Sequence, residues 1–140
     1  MKFCRIKLSE TNYNKLDNWK VNSESNSEYN RIYKEYCTHK NFDSVMPIFD
    51  SQYQDVNIEM FCYYDSDRFV AWDMIRTHNK ENAEAIQFAW DYRNPDLKLG
   101  IESLKNACAV YKERGFQYLY LGEASKYKMQ IAGYEELGKI

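Results

Sequence analysis

The apolar positions of this chain repeat first with period two, then with the period of a helix, and each change of period marks a change of element. Residues 3–8 alternate apolar and polar side chains, as a strand with one buried face does. Ser9-Glu10-Thr11-Asn12 follows with N-cap chemistry, which predicts a helix over 11–19 in which apolar residues are sparse. A polar connection at 22–27 leads to a second predicted helix over 28–37, with Tyr29, Ile32, Tyr33 and Tyr36 on one face. Both helices are expected to cover one face of a sheet. Residues 39–56 are irregular, contain Pro47, and are long enough to suggest a binding loop.

Residues 58–64 and 69–76 are rich in aromatic and β-branched side chains and flank Asp65-Ser66-Asp67, so they read as a hairpin. Residues 84–90 alternate again and complete an antiparallel meander. The period then lengthens. Asn94 is placed to cap a helix with Pro95 at its first position, and Leu97, Ile101, Leu104, Cys108 and Tyr111 recur at helical spacing up to a closing Gly115. Residues 116–121 form the next strand, and strand, helix, strand predicts a parallel pair joined by a right-handed crossover. The fold class is α/β, or α+β with a mixed sheet, in one domain over 1–140.

Composition narrows the function. The chain has 140 residues, the usual size of one domain, and 44% of them are hydrophobic. Lys and Arg number 19 against 21 acidic residues, for a net charge of -2, which removes the electrostatic argument for a dedicated nucleic-acid binder. The first residues alternate instead of forming an apolar run, and no stretch could span a bilayer, so a cytoplasmic protein without a membrane partner is expected. Cys4, Cys37, Cys62 and Cys108 form no CxxC pair and read as buried thiols. His39 and His78 lack a second ligand at helical or hairpin spacing, so no metal is implied. The 13 tyrosines suit the lining of a cleft, although most are expected to pack at sheet edges.

The order strand, two helices, three antiparallel strands, long helix, parallel strand, short helix resembles the GNAT acyltransferase superfamily over nearly the whole chain. Phe69-Val70-Ala71 resembles the third strand of that superfamily, and Gly133-Tyr134 resembles the Gly-Phe after its last helix. Its final strands would be short or missing here, leaving a sheet edge that a homodimer partner could cover. The resemblance implies transfer of an acyl group from acyl-coenzyme A (acyl-CoA) to a small-molecule or protein amine. The superfamily holds the pyrophosphate on the backbone amides of a Gln/Arg-x-x-Gly-x-Gly/Ala loop at a helix N-terminus. Here that loop reads Leu97-Lys98-Leu99-Gly100-Ile101-Glu102, which keeps Gly100 and places a carboxylate, Glu102, where a small residue is usual. The tyrosine that serves as general acid in the superfamily falls on Met129. Tyr127 lies two residues away, turned by about 200° if the segment is helical.

A narrower resemblance, over about the last 50 residues, links Pro95, Lys98-Leu99-Gly100, Tyr118-Leu119-Tyr120-Leu121-Gly122 and Lys128-Met129 to the leucyl- and arginyl-tRNA-protein transferases. It implies a charged tRNA as donor. A third reading is a non-catalytic binding or dimerisation module built on the same fold.

In the GNAT fold the fourth and fifth strands splay apart, so the resemblance sets Trp90-Asp91-Tyr92 opposite Tyr120-Leu121-Gly122-Glu123. Glu123 or Asp91 would be the base, and Tyr120 or Tyr92 the acid. Trp90, Tyr92, Lys98, Leu99, Gly100 and Ile101 would hold acyl-CoA, with the amides near Leu99 and Gly100, or those of a bulged fourth strand, polarising the thioester carbonyl. The plainer alternatives are strand-end carboxylates and packed aromatics. Lys112, Arg114, Lys126 and Lys128 read either as a basic patch or as a solvated face. Trp72-Asp73, Tyr63 and Tyr64 are expected to alternate between core and pocket and are given no catalytic role.

Overall fold

Seven strands and two α-helices make up the computed structural model, which describes residues 2–42 and 46–139. The strands are β1 (Lys2–Lys7), β2 (Trp19–Val21), β3 (Ile58–Asp65), β4 (Arg68–Thr77), β5 (Asn82–Trp90), β6 (Tyr118–Glu123) and β7 (Tyr134–Lys139), and the helices are α1 (Asn26–His39) and α2 (Leu99–Glu113). They form one mixed sheet in the order β2-β3-β4-β5-β6-β1-β7. All neighbouring strands are antiparallel except β5 and β6, which are parallel as the strand-helix-strand unit predicts.

The two helices lie on opposite faces, which is why β3 and β4 read as almost continuous apolar runs. Beneath α1, Tyr29 and Ile32 pack on Met60, Cys62, Trp72 and Met74, and the Trp72 indole donates to the Tyr29 carbonyl at 2.9 Å. Beneath α2, Leu104, Ala107, Cys108 and Tyr111 pack on Phe61, Tyr63, Ile75, Leu119 and Ile6. The four cysteines are buried free thiols.

The structure corrects the sequence reading in four places. Residues 11–18 are not helical. Their backbone groups are engaged from elsewhere: Asn106 Oδ1 accepts from the Leu16 amide at 2.8 Å, and the Trp19 indole donates to the Leu16 carbonyl at 2.9 Å. Tyr13, Leu16 and Trp19 thereby pack against the α2-side core, and the segment ends in β2. Helices therefore flank the sheet on both sides instead of pairing on one. The predicted C-terminal helix is a single 3-10 turn, Lys128–Gln130, because the chain must return to the sheet within a few residues. The final strand is present: β7 has six residues and pairs with β1. In the 39–56 segment a 3-10 turn occupies Asp50–Gln52, and residues 43–45 lie outside the described residues.

Gly133 makes the last strand fit. At φ +79° it turns the chain into β7, and its carbonyl accepts from the Lys7 amide at 2.8 Å.

Candidate functional site

The parallel ladder between β5 and β6 is only three residues long: Asn82, Ala83 and Glu84 lie opposite Tyr118, Leu119 and Tyr120. Beyond it the strands part. On the other side of β5, the register with β4 slips, so that Met74 faces Gln87 while Ile75 faces Ala85. Ile86 is thus the extra residue of a β-bulge, and such a bulge bends a strand away from its neighbour. The wedge between β5 and β6 opens at this bulge.

A cavity of about 110 Å³ fills the α2 side of the wedge, bounded by Ile86 and Phe88 of β5, Leu121 of β6, and Gly100 and Ser103 of α2. Asp73 projects into it from β4. It is 4% exposed, and one carboxylate oxygen, Oδ1, has no hydrogen-bond partner among the described residues. Burial pushes its carboxyl up to about 7. An unpartnered buried carboxylate is costly to maintain, and one that titrates near neutral pH has the property a general base requires. Tyr127 and Lys128 close the same cavity. Burial, with Tyr36 and Asp73 nearby, raises the Tyr127 hydroxyl to about 12. The Lys128 ammonium donates to the carbonyls of Leu121 at 2.9 Å and Glu123 at 2.7 Å, holding the free end of β6, and burial lowers its pKa.

A second cavity, of about 320 Å³, adjoins the first through Phe88, Gly100 and Tyr127. Trp90, Tyr92, Lys98, Gly100 and Ile101 all line it, so the structure brings these sequence candidates together; Leu99 is 1% exposed and belongs to the core. Lys98, at φ +48°, caps α2. The first intrahelical bonds run from Ile101 and Glu102 to the Lys98 carbonyl, leaving the amides of Leu99 and Gly100 without an acceptor inside the helix. A Cβ at Gly100 would meet no atom within 4 Å, so the cavity reaches the backbone there. Tyr92 also has positive φ, +59°, and its ring is clamped between Tyr36, stacked at 6.1 Å, and His39, stacked at 3.7 Å. Tyr36, Tyr92 and Lys40 form the outer wall.

The proposed acid-base residues separate. Glu123 is exposed and lines neither cavity. Asp91 is buried, but its Oδ1 accepts from the Arg93 amide at 3.1 Å, and its own amide bonds to the Val70 carbonyl, so it closes the turn after β5. Tyr120 faces the opposite side of the sheet, where its hydroxyl accepts from Arg5 at 3.1 Å. Glu102 lines neither cavity and lies 3.7 Å from Lys105 one turn along α2, so it does not confront a ligand at Gly100. Of the basic residues, Lys112 donates to the Thr11 carbonyl, Arg114 to Glu59 and Lys128 to carbonyls of β6, so these three do not form a patch. The sequence reading set Asp73 between core and pocket without a catalytic role, although it is the one charge in the apolar run 69–75.

No protein-family model and no curated protein matches the chain. Solved structures do. The C-terminal DUF2156 domain of a protein assigned as a lysylphosphatidylglycerol synthetase from Agrobacterium fabrum superposes with a TM-score of 0.63 at 11% identity, over 88% of this chain and 46% of that one. A GCN5-related N-acetyltransferase from Sphaerobacter thermophilus gives 0.59 at 12% identity, over 97% and 48%. The chain has a GNAT-like fold. The N-myristoyltransferase of Saccharomyces cerevisiae with bound myristoyl-CoA gives 0.50 at 12% identity, over 81% and 35%. The chain thus spans about half or less of the length of these GNAT-like neighbours. Among the described residues, no helix is long and apolar enough to cross a membrane, and no group of three or more His, Cys, Asp or Glu side chains could hold a metal ion.

Proposed function

We propose that this chain is an N-acyltransferase, with an acyl-CoA donor lying along the start of α2 and its thioester in the wedge between β5 and β6. The observation that carries the reading is Asp73, a buried carboxyl poised near 7 inside the wedge that the Ile86 bulge opens. The residues present fit the donor. The free amides of Leu99 and Gly100 and the Lys98 side chain suit its phosphates, and the aromatic wall at Tyr36 and Tyr92 suits its planar base. The two neighbours named as N-acetyl- and N-myristoyltransferases support acyl transfer to nitrogen as the class of reaction.

Asp73 takes one proton from the incoming ammonium, and the freed nitrogen attacks the acyl carbon; the C–N bond forms as the C–S bond breaks. Tyr127 gives its proton to the departing thiolate and regains one from the nitrogen, and Asp73 then returns its proton to water. Amide N–H groups of the bulged stretch of β5 would stabilise the negative charge that develops on the carbonyl oxygen.

The test of the donor is direct. Acetyl-CoA or a longer acyl-CoA at 100 times its dissociation constant stabilises the fold by about 2.7 kcal/mol, read as a rise in melting temperature, and free thiol appears when an amine is added. Absence of any shift across acyl chain lengths would overturn the reading. Tyr127→Phe should reduce kcat by about 10- to 100-fold and leave the donor-induced shift in melting temperature intact. An equal loss of donor binding would assign Tyr127 to binding instead.

A further inference from the structure

Two bulges flank the wedge. Besides the Ile86 bulge on β5, the register of β1 with β6 slips, so that Arg5 faces Tyr120 while Cys4 faces Gly122. Leu121 is thus the extra residue on β6. Past it the Ala124 amide donates to the Lys2 carbonyl at 2.8 Å, so by alternation the Glu123 carbonyl turns away from β1, toward the wedge. The ladder with β5 has ended by then, and no strand is left on that side to supply donors to β6. A backbone carbonyl without a donor is costly where water is largely excluded. Here the Lys128 ammonium supplies both Leu121, at 2.9 Å, and Glu123, at 2.7 Å.

The same ammonium lies 5.8 Å from the centre of the Tyr127 ring, within range of a cation–π contact. Among the described residues, the two bonds from Lys128 are the only hydrogen bonds that join residues 125–130 to the sheet. The other bonds of this stretch are local and long: the Met129 amide donates to the Ser125 carbonyl and the Gln130 amide to the Tyr127 carbonyl, both at 3.3 Å. Tyr127 is 43% exposed, and no hydrogen bond of its own hydroxyl to a described residue fixes it beside the cavity it closes.

We infer that Lys128 is a positioning residue. Its ammonium takes the place of the β5 donors that β6 has lost, holds the end of β6 apart from β5, and sets Tyr127 against the cavity. The effect on catalysis rests on the acyl-transfer reading, whereas the tie between turn and strand does not.

Nitration of tyrosines by tetranitromethane, located by peptide mass, reads that tie in the whole chain without donor, because the reagent attacks the phenolate. Burial, with Tyr36 and Asp73 nearby, raises the Tyr127 hydroxyl to about 12. A ring released toward an ordinary value near 10 gains phenolate up to about a hundredfold at fixed pH. Lys128→Met should therefore be nitrated at Tyr127 about fivefold faster or more, while the buried Tyr29, Tyr63 and Tyr111 stay protected. Lys128→Arg, whose guanidinium offers two N–H groups to the same carbonyls, should stay within about twofold of the wild type. Unchanged nitration at Tyr127 in Lys128→Met, or loss of protection at the buried tyrosines with it, would overturn the inference. With donor and amine, Lys128→Met should lower kcat by about 10- to 100-fold at unchanged donor KM, and adding it to Tyr127→Phe should cost little more. Losses that multiply in the double variant would overturn the role through Tyr127. Faster nitration in Lys128→Met, from a protein whose wild type releases no thiol from any acyl-CoA, would uphold the tie and reject the acyl-transfer reading.

Discussion

Asp73→Asn should stop acyl transfer and make the protein more stable. Removing a general base typically lowers kcat by 10²- to 10⁴-fold, and an amide cannot take the proton from the ammonium. The gain in stability follows from the same burial. Because the native carboxyl holds its proton up to about 7, well above an ordinary Asp, the folded state binds more protons than the unfolded chain in this range. Stability therefore falls as pH rises from about 4 to about 7 and is level above that, by roughly 4 kcal/mol at most for the interval between an ordinary Asp and one near 7. Melting temperatures taken from pH 5 to pH 9 should show this decline in the wild type and not in Asp73→Asn, whose advantage is largest above pH 7. The kcat/KM of the wild type should rise with pH through about 7. A variant that is inactive yet less stable at pH 8 would instead mark Asp73 as a structural residue.

Gly133→Ala should be the most damaging small substitution in the last third of the chain. At φ +79° a side chain is strained, and the added Cβ would overlap the Lys7 carbonyl oxygen, a backbone atom that cannot turn away. The expected cost is about 2–4 kcal/mol, read as a fall in melting temperature on the order of 10 °C. An unchanged melting temperature would mean that β7 contributes little to the fold.

Much of this architecture is written locally. The hairpin of β3 and β4, the alternating β5 and the four-three spacing along α2 announce themselves because each period is set by the residues' own neighbours. The parallel pairing of β5 and β6 follows from the connection that joins them. Residues 11–18 look like a weak helix, because nothing nearby reveals that Asn106, some 90 positions on, will take the Leu16 amide. The site divides in the same way. Trp90, Tyr92, Lys98, Gly100 and Ile101 lie in two short stretches, and that they share one cavity was legible. Asp73 was not, since its meaning depends on which face of β4 lies under α2 and on a void that no sequence period records. Tyr127 was set aside for facing away from the Met129 position, and the cavity lies on the side that Tyr127 takes. Glu102 looked obstructive until its position beside Lys105 was known.

The place of β1 has a consequence for how the chain is made. It lies between β6 and β7, hydrogen-bonded to residues more than a hundred positions away on both sides. β1 is made before both of its partners, and Cys4, Ile6 and Leu8 stay uncovered until residues 118–139 have emerged. A nascent chain released early would expose this strand's edges and apolar face to any neighbour, so aggregation of incomplete chains, and slow closure of complete ones, is built into the topology.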